Sequence, residues 1–333
     1  MLIGTFLLEN SLDLITCVFS VGIIIAQLLV QIAVYTQAVT GHYALRNILI
    51  TGVQLEKDIR KQFTIGCSLS SIRWRLGVRA GLWLLICSTF VPYLSYRLTP
   101  QKLYPLKRGI IVFFSCLIQI KGVEYCVGVQ LVQELLLLVQ QQLIHLRHKL
   151  LRCERSEARC ILYIELQANQ QLLARIWNLL NQVERYFCTP MLMLFFYNGF
   201  AIIQAIHWAY INFLLDDLDL RLCRIVHTVM LIVALLLPCY LSQCCIDEYN
   251  RFGTMLHKLK TVGIDENLSM RLQEYSLQLM HQRMLFTCGG FFDINLKNFG
   301  AISLTITTYI VILIQFKLQA ETENKSALGA RFE

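Results

Sequence analysis

Long apolar stretches separated by polar connections are the main pattern along this chain. Crossing a bilayer takes about 20 residues. Six stretches are that long: Leu12–Tyr35, Leu76–Tyr96, Ile110–Leu131, Thr189–Leu215, Leu222–Cys245 and Ile294–Phe316. Each is expected to be a helix, because a single segment in lipid must satisfy its own backbone hydrogen bonds. The pattern predicts an all-α, multi-pass membrane protein with six transmembrane helices.

Some of the predicted helices are much longer than a bilayer is thick. No proline interrupts the chain from Ile110 to Arg152, and the second half of this stretch mixes apolar residues with glutamines. Such a helix measures about 60 Å, against a hydrocarbon core of about 30 Å. Ser156–Phe187 and Asp247–Leu259 show the same mixed pattern, and Gly289-Gly290 is expected to end a helix before the last span. We therefore expect helical extensions that form a bundle outside the membrane, and a last helix split in two.

Composition agrees with a membrane protein, and the charge pattern orients it. The chain is 56% hydrophobic and 16% charged, with a mean hydropathy of +0.53. The net charge of +8 does not indicate nucleic-acid binding, because the basic residues concentrate in alternate connections. These are Arg46–Arg79, Arg147–Arg185 and Arg251–Arg283, whereas the loop at 216–219 is acidic. The positive-inside rule then places the basic connections in the cytosol and the C-terminus outside, and six spans place the N-terminus outside as well.

Aromatic and polar residues gather toward the outer ends of the middle spans. Apolar walls with a few hydrogen-bonding groups suit a small organic ligand. The candidate ligand-binding residues are Phe90, Tyr93, Phe113, Gln119, Tyr197, Gln204, Trp208 and His227. An aromatic belt at the membrane interface is the alternative interpretation. Lys121 and Glu124, three residues apart near mid-membrane, form either a polar floor to this pocket or an internal ion pair that closes a packing gap.

Enzyme and metal motifs are missing from the sequence. No GxxxxGK[ST], GxSxG or HExxH pattern occurs, and the seven histidines are scattered. We therefore predict a protein that is not an enzyme and has no cofactor and no metal site.

The last span carries the most specific pattern, the string TYIVILIQF at Thr308–Phe316. A glutamine amide in an apolar span needs a hydrogen-bond partner or water. On a helix, Thr308, Ile312, Gln315 and Phe316 lie on one side, because residues three and four apart are neighbours. Such a stripe could line a narrow water path and close it with one aromatic ring. A buried contact face between helices is the alternative.

Thr-Tyr, five apolar residues and Gln-Phe resemble the last-helix motif of insect gustatory receptors, and all nine positions match. The preceding GGFFDINLKNFGAISLTI also looks like that family, which is related to the odorant receptors. The resemblance implies seven spans with a cytosolic N-terminus, so we expect this chain to lack the family's first helix. It also implies homo- or hetero-tetramers of receptor subunits that meet mainly in the cytosolic bundle, around one pore.

The resemblance also implies roles for residues of the last span. Gln315 and Phe316 match the outer constriction of the pore, with Ile312 and Thr308 one and two turns below. Tyr309 is expected to pack sideways against a neighbouring helix. The ligand site is expected in the outer half of the spans that precede the last one.

These expectations divide the chain into six segments. They are 1–131, membrane helices with a basic cytosolic loop; 132–188, cytosolic helical extensions; 189–246, membrane helices; 247–290, cytosolic anchor helices; 291–318, a pore helix; and 319–333, a polar tail.

The resulting hypothesis is a taste receptor of the plasma membrane that acts as a ligand-gated, non-selective cation channel. Its partners are a small-molecule tastant, the lipid bilayer and other receptor subunits, and not nucleic acid. In family members tuned to sugars a Glu typically follows Thr-Tyr, whereas this chain has Ile310, which favours bitter compounds. A G-protein-coupled chemoreceptor and a non-conducting subunit or truncated isoform of the channel are the alternatives.

Overall fold

The computed structural model describes residues 14–62, 70–98, 104–152, 156–211, 217–260 and 266–329. Eight α-helices contain most of these residues: α1 (Leu14–Thr40), α2 (His42–Gln62), α3 (Ser70–Leu98), α4 (Pro105–Arg152), α5 (Ser156–Ile211), α6 (Leu218–Lys260), α7 (Glu266–His281) and α8 (Leu296–Gly329). Within the described ranges there is no strand, only one isolated bridge between Thr287 and Asp293. The predicted all-α fold is confirmed.

Among the residues that the structure describes, five helices are long and apolar enough to cross a membrane, and a sixth span results if α1 and α2 count as one bent helix. The five candidate spans are Leu76–Leu98, Arg108–Leu150, Ile161–Tyr210, Leu218–Leu259 and Leu296–Gln315. This agrees with the prediction of a multi-pass membrane protein.

Three helices are far longer than a bilayer requires, as the sequence predicts. α4, α5 and α6 contain 48, 56 and 43 residues, which corresponds to roughly 70, 85 and 65 Å. α5 and α6 continue through Pro190 and Pro238. α4 packs extensively with α3, α5 and α6, and α5 packs with α1, α2, α4, α6, α7 and α8.

The ends of the long helices pack with α7 into what we call the extension bundle (residues 132–152, 156–188, 247–260 and 266–281). Its interior is apolar and fully buried at Leu136, Leu143, Leu173, Ile176, Leu179, Phe252 and Leu256. One polar network crosses this interior. The Tyr275 hydroxyl donates to Asn169 Oδ1 at 2.8 Å, and Asn169 Nδ2 donates to the carbonyl oxygen of Val139 at 3.0 Å. This network ties α7, α5 and α4 together.

The connection after α1 differs from the basic loop that we expected, because it is helical. In α2, Ile48, Leu55 and Ile59 are buried, so one face of this amphipathic helix packs on the core. The axes of α1 and α2 differ by 66° at the break between them. Gly41 lies at this break, where an added Cβ would stand 2.9 Å from Cε2 of the Tyr186 ring. Glycine therefore permits the close approach of the bend to α5.

Gly289 and Gly290 do not end α7 as predicted, because α7 already ends at His281. They lie in a non-helical segment, residues 282–295, which we call the linker hairpin. Both have positive φ angles, 63° and 78°, a conformation that glycine adopts without steric cost. The amide of Cys288 donates to the carbonyl oxygen of Phe292 at 2.9 Å, which closes the turn around them.

α8 is one continuous helix that includes most of the segment expected to be a polar tail. Asn295 caps its N-terminus, because Asn295 Oδ1 accepts the amide hydrogen of Asn298 at 2.8 Å. One face of α8 packs on α5 and α6. The separation of α7 from α8 by the linker hairpin confirms the predicted split of the last helix.

Candidate functional site

A cavity of about 70 Å³ lies among α3, α4, α5 and α6. Most of its wall is apolar, and five polar residues line it: Ser95, Ser115, Gln119, Tyr197 and His227. The other lining residues are Trp83, Cys87, Val91 and Leu94 of α3; Gly122, Val123 and Cys126 of α4; and Met230, Leu231, Ala234, Leu237 and Pro238 of α6. This arrangement is typical of a site for a small, mainly apolar ligand.

The lining residues recur at helical spacing, which is the signal that could have located the cavity from sequence. On α4, Ser115, Gln119, Gly122 and Cys126 are three or four residues apart and share one helix face. α3 and α6 contribute similar rows of small, polar and aliphatic residues. Most of the predicted ligand-binding residues are aromatic instead, so most of this wall is absent from the predicted set.

A hydrogen bond holds one polar side chain of the wall in place. Gln119 Nε2 donates to Oδ1 of the fully buried Asn198 at 3.0 Å. This bond joins α4 to α5 on one side of the cavity, where Ser115 and Tyr197 also lie, and His227 of α6 faces it as well.

The predicted ligand-binding residues fall into two groups in the structure. Gln119, Tyr197 and His227 come together at the cavity. The other five do not line it: Phe90, Tyr93 and Phe113 are 54%, 55% and 58% exposed on other faces of their helices, and Gln204 and Trp208 are partly buried on α5. Aromatic content alone does not tell which way a helix is turned, and this explains the difference.

Lys121 and Glu124 form an ion pair beside the cavity. Lys121 Nζ lies 2.6 Å from Glu124 Oε2, donates to the Tyr186 hydroxyl at 3.1 Å and stands 4.9 Å from the centroid of the Tyr186 ring. Neither charged residue lines the cavity, although Gly122 and Val123 between them do. The geometry therefore favours an internal pair over a polar floor for the pocket.

The stripe of the last span lies on the face of α8 that is turned away from the rest of the chain. Thr308, Ile312 and Gln315 are exposed there, whereas Ile306 packs against the core and Leu313 is buried. We call Thr308, Ile312 and Gln315, together with Leu304 and Val311, the outer face of α8. The Thr308 hydroxyl donates to the Leu304 carbonyl oxygen at 3.0 Å within the helix.

The motif also contains two aromatic residues, Tyr309 and Phe316. Tyr309 is 54% exposed, and its predicted sideways packing against a neighbouring helix stays a prediction. Phe316 belongs to α8 by its backbone, and its side chain lies outside the described ones.

Aromatic contacts connect the cavity wall to the start of α8. Tyr125 adjoins the lining residue Cys126, and its hydroxyl is 2.7 Å from Ser242 Oγ of α6. The Tyr125 ring lies 6.4 Å, edge to face, from the ring of Phe286 in the linker hairpin. Farther along the hairpin, the rings of Phe292 and Phe195 are 5.3 Å apart. Sequence reasoning missed this chain of contacts, because its members are far apart in sequence.

Comparison with known proteins gives one consistent result. Residues 9–320 match the profile of the family described as 7tm chemosensory receptors. Gustatory receptor 98b of Drosophila melanogaster is 41% identical over 258 residues, 77% of this chain and 64% of that protein. Gustatory receptor 98c of the same species is 35% identical over 252 residues, 75% of this chain and 62% of that protein. The chain thus spans just under two thirds of the length of these relatives.

A solved structure shares the fold. The insect olfactory receptor OR5 from Machilis hrabei matches with a TM-score of 0.59 at 12% identity, covering 95% of this chain and 84% of that one. At this identity the likeness concerns the arrangement of the helices.

Proposed function

The chain belongs to the 7tm chemosensory receptor family, and from that premise we propose that it is a taste receptor that acts as a ligand-gated, non-selective cation channel. A small-molecule tastant would bind in the cavity among α3–α6. Copies of α8 from several receptor subunits, in a homo- or hetero-tetramer, would line one pore through the plasma membrane.

The observation that carries this proposal is the outer face of α8. Thr308 and Gln315 lie on the exposed side of an apolar helix, together with Ile312. A glutamine amide that faces lipid loses its hydrogen bonds with water. If several subunits turn this face toward a common axis, the amide meets water and the apolar residues form a narrow, weakly hydrated constriction. Gln315 and Phe316 would form the constriction, with Ile312 and Thr308 below it.

The cavity supports a compact, mainly apolar ligand. Its volume of about 70 Å³ is well below the 300–1,000 Å³ that is usual for drug-sized ligands. A tastant must therefore displace lining side chains, of which Met230 is the most adaptable. Five of the 17 lining residues carry hydroxyl, amide or imidazole groups, whereas a sugar would bury many hydroxyls that need partners. This favours bitter compounds over sugars.

Binding opens the pore only if the open state holds the ligand more tightly than the closed state. A cavity that is larger in the open state would give this difference in ligand affinity. Its enlargement would move α4 and α6, which carry Tyr125 and Ser242. The linker hairpin contacts Tyr125 through Phe286 and leads directly into α8. We propose this route for the ligand's effect on the pore.

We propose that the extension bundle lies in the cytosol and the C-terminus outside the cell, and the charge pattern supports this orientation. A glycosylation acceptor added after residue 333 tests this orientation in intact cells. Modification of the tag supports the channel topology. An unmodified tag on surface protein supports the alternative, a G-protein-coupled receptor.

Current recording during the application of bitter compounds tests the proposed function, and two variants of α6 test the cavity. Ala234 lines the cavity and Ile232 of the same helix is 39% exposed. Ala234→Leu should raise the half-activating concentration at least tenfold, because it fills the cavity, whereas Ile232→Leu should leave it unchanged. Ligand binding by surface protein without any current, alone or beside related subunits, would show a non-conducting subunit instead.

A further inference from the structure

α1 and α2 meet at an elbow that turns the chain sideways. Their axes differ by 66°, and contacts with α5 hold the bend. Gly41 allows Tyr186 to approach closely, and the amide of Gln37 donates to the Tyr186 carbonyl oxygen. If α1 crosses the membrane near its normal, α2 runs closer to the membrane plane than to the normal.

The outward side of α2 has an apolar half followed by a basic half. Tyr43, Ile50 and Val53 are 66%, 42% and 43% exposed. Lys57 and Lys61 follow one and two turns later and are exposed as well. The apolar half continues the exposed apolar surface of α1, which includes Ile25, Leu28 and Ile32.

Carboxylates near the two lysines are already engaged by arginines. Glu56 pairs with Arg60 at 2.8 Å, and Asp58 pairs with Arg175 of α5 at 2.6 Å. In the part of the chain that the structure describes, no salt bridge includes Lys57 or Lys61. Their positive charge is therefore available to an external anion.

The angle between α1 and α2 determines how far the basic half of α2 lies from the hydrocarbon core of the membrane. Lys57 lies 16 residues after Gly41, about 24 Å along the helix. At 66° to α1, it is displaced about 10 Å along the direction of α1. Headgroups occupy roughly 5–7 Å beyond the hydrocarbon core on each side, and lysine side chains reach back toward such a layer.

We propose that this side of α2 binds anionic phospholipids, with Tyr43, Ile50 and Val53 at the acyl boundary and Lys57 and Lys61 on headgroup phosphates. Amphipathic helices with basic residues bind anionic membrane surfaces in this way. Continuity with the exposed apolar surface of α1 favours lipid over a protein partner. Lipid binding at this site does not require that the protein conduct ions.

Native mass spectrometry of the purified full chain tests the proposal. The protein is offered phosphatidylserine and phosphatidylcholine with identical acyl chains, and bound lipids are counted. We expect a preference for phosphatidylserine that falls at least threefold in Lys57→Gln/Lys61→Gln. Lys57→Arg/Lys61→Arg should retain the preference. Arg147→Gln/Lys258→Gln, which removes the same charge from exposed positions of the extension bundle, should retain it as well.

Three results would overturn the proposal. The first is an unchanged lipid preference in Lys57→Gln/Lys61→Gln. The second is an equal loss in Arg147→Gln/Lys258→Gln, which would show an effect of net charge. The third is a loss of subunit association in Lys57→Gln/Lys61→Gln together with the loss of lipid preference, which would assign the face to a protein contact. The measurement requires no channel current, so it is separate from the test of the proposed function.

Discussion

Gly289 is the residue whose identity the structure explains most directly. Its φ angle is +63°, and an added Cβ would lie 3.1 Å from Cys188 Sγ on α5. Gly290 has a φ angle of +78°, but nothing lies within 4 Å of its Cβ position. A side chain at either glycine would strain the backbone, but only a side chain at Gly289 would also contact a neighbouring residue closely.

Gly289→Ala should destabilise the protein more than Gly290→Ala. Both variants place an L-residue in a left-handed conformation, at a cost of about 1–2 kcal/mol, and only the first also crowds Cys188. Thermal unfolding of the purified protein measures the difference. Cys188→Ala should partly restore Gly289→Ala and leave Gly290→Ala unimproved. Equal destabilisation of the two glycine variants, unaffected by Cys188→Ala, would contradict this account.

Gln315 should influence conductance rather than ligand sensitivity. Its amide lies on the outer face of α8, whereas Tyr309 lies off the Thr308–Ile312–Gln315 stripe. Gln315→Leu removes a group that can hydrate the proposed constriction, so single-channel conductance should fall at least twofold, with an unchanged half-activating concentration. Tyr309→Phe is the matched control and should change neither quantity. Unaltered conductance in Gln315→Leu would argue against this residue as a pore lining.

The sequence predicted only part of the site, for identifiable reasons. Thr308, Ile312 and Gln315 share a face because helical spacing alone determines that relation. Phe113 and Gln119 of one helix point differently, and no periodicity fixes the rotation of a helix that is apolar almost all round. The contact between Tyr125 and Phe286 depends on tertiary packing. Such a contact has no local signal.

At the scale of elements, α7 is held to the extension bundle by Tyr275. The Tyr275 hydroxyl donates a hydrogen bond to Asn169 Oδ1, and both side chains are fully buried. Tyr275→Phe should cost about 1–3 kcal/mol, because it leaves the Asn169 oxygen buried without that donor. Ser276→Ala, an exposed position on the same helix, is the control and should have little effect. Thermal unfolding measures both variants.

Tyr275 also gives the bundle a predictable response to alkaline pH. Burial raises the pKa of the Tyr275 phenol well above 10.0. Above about pH 10 the unfolded chain releases this proton while the folded chain retains it, so stability falls as pH rises. The stability that this group contributes is fully present below that pH. Tyr275→Phe should show a shallower alkaline loss than the wild type. An equally steep loss in both would exclude Tyr275 as a contributor.

The linker hairpin is the element expected to transmit ligand binding to α8. Phe286 is buried against Tyr125, whereas the neighbouring Leu285 is 45% exposed. Phe286→Leu keeps an apolar residue but removes the aromatic contact. It should raise the half-activating concentration severalfold at unchanged single-channel conductance, the opposite pattern from Gln315→Leu. Leu285→Met is the control. A change in conductance alone in Phe286→Leu would contradict a role in coupling.

At the scale of the whole molecule, apolar run lengths predicted most of the architecture. The unbroken pattern from Ile110 to Arg152 predicted nearly the full extent of α4, because length and periodicity are local properties of the sequence. α2 was expected to be a loop, since its charges masked an amphipathic pattern whose buried face contains Ile48 and Leu55. The hairpin at Gly289-Gly290 was misplaced as a helix end, because the same glycines serve either purpose.

The arrangement of subunits is the last consequence of the outer face of α8. If copies meet through this face, a cysteine at Ile312 lies near its counterparts, whereas one at Ile306, which packs against the chain's own core, does not. Ile312→Cys should give covalent dimers with a short bis-maleimide in membranes, and Ile306→Cys should give no more than the wild type. The one added cysteine per chain joins only two subunits, so native mass spectrometry must supply the expected total of four. If Ile312→Cys gives no covalent dimers although native mass spectrometry shows an intact tetramer, the outer face of α8 lies against lipid. The pore would then have to be lined by another helix.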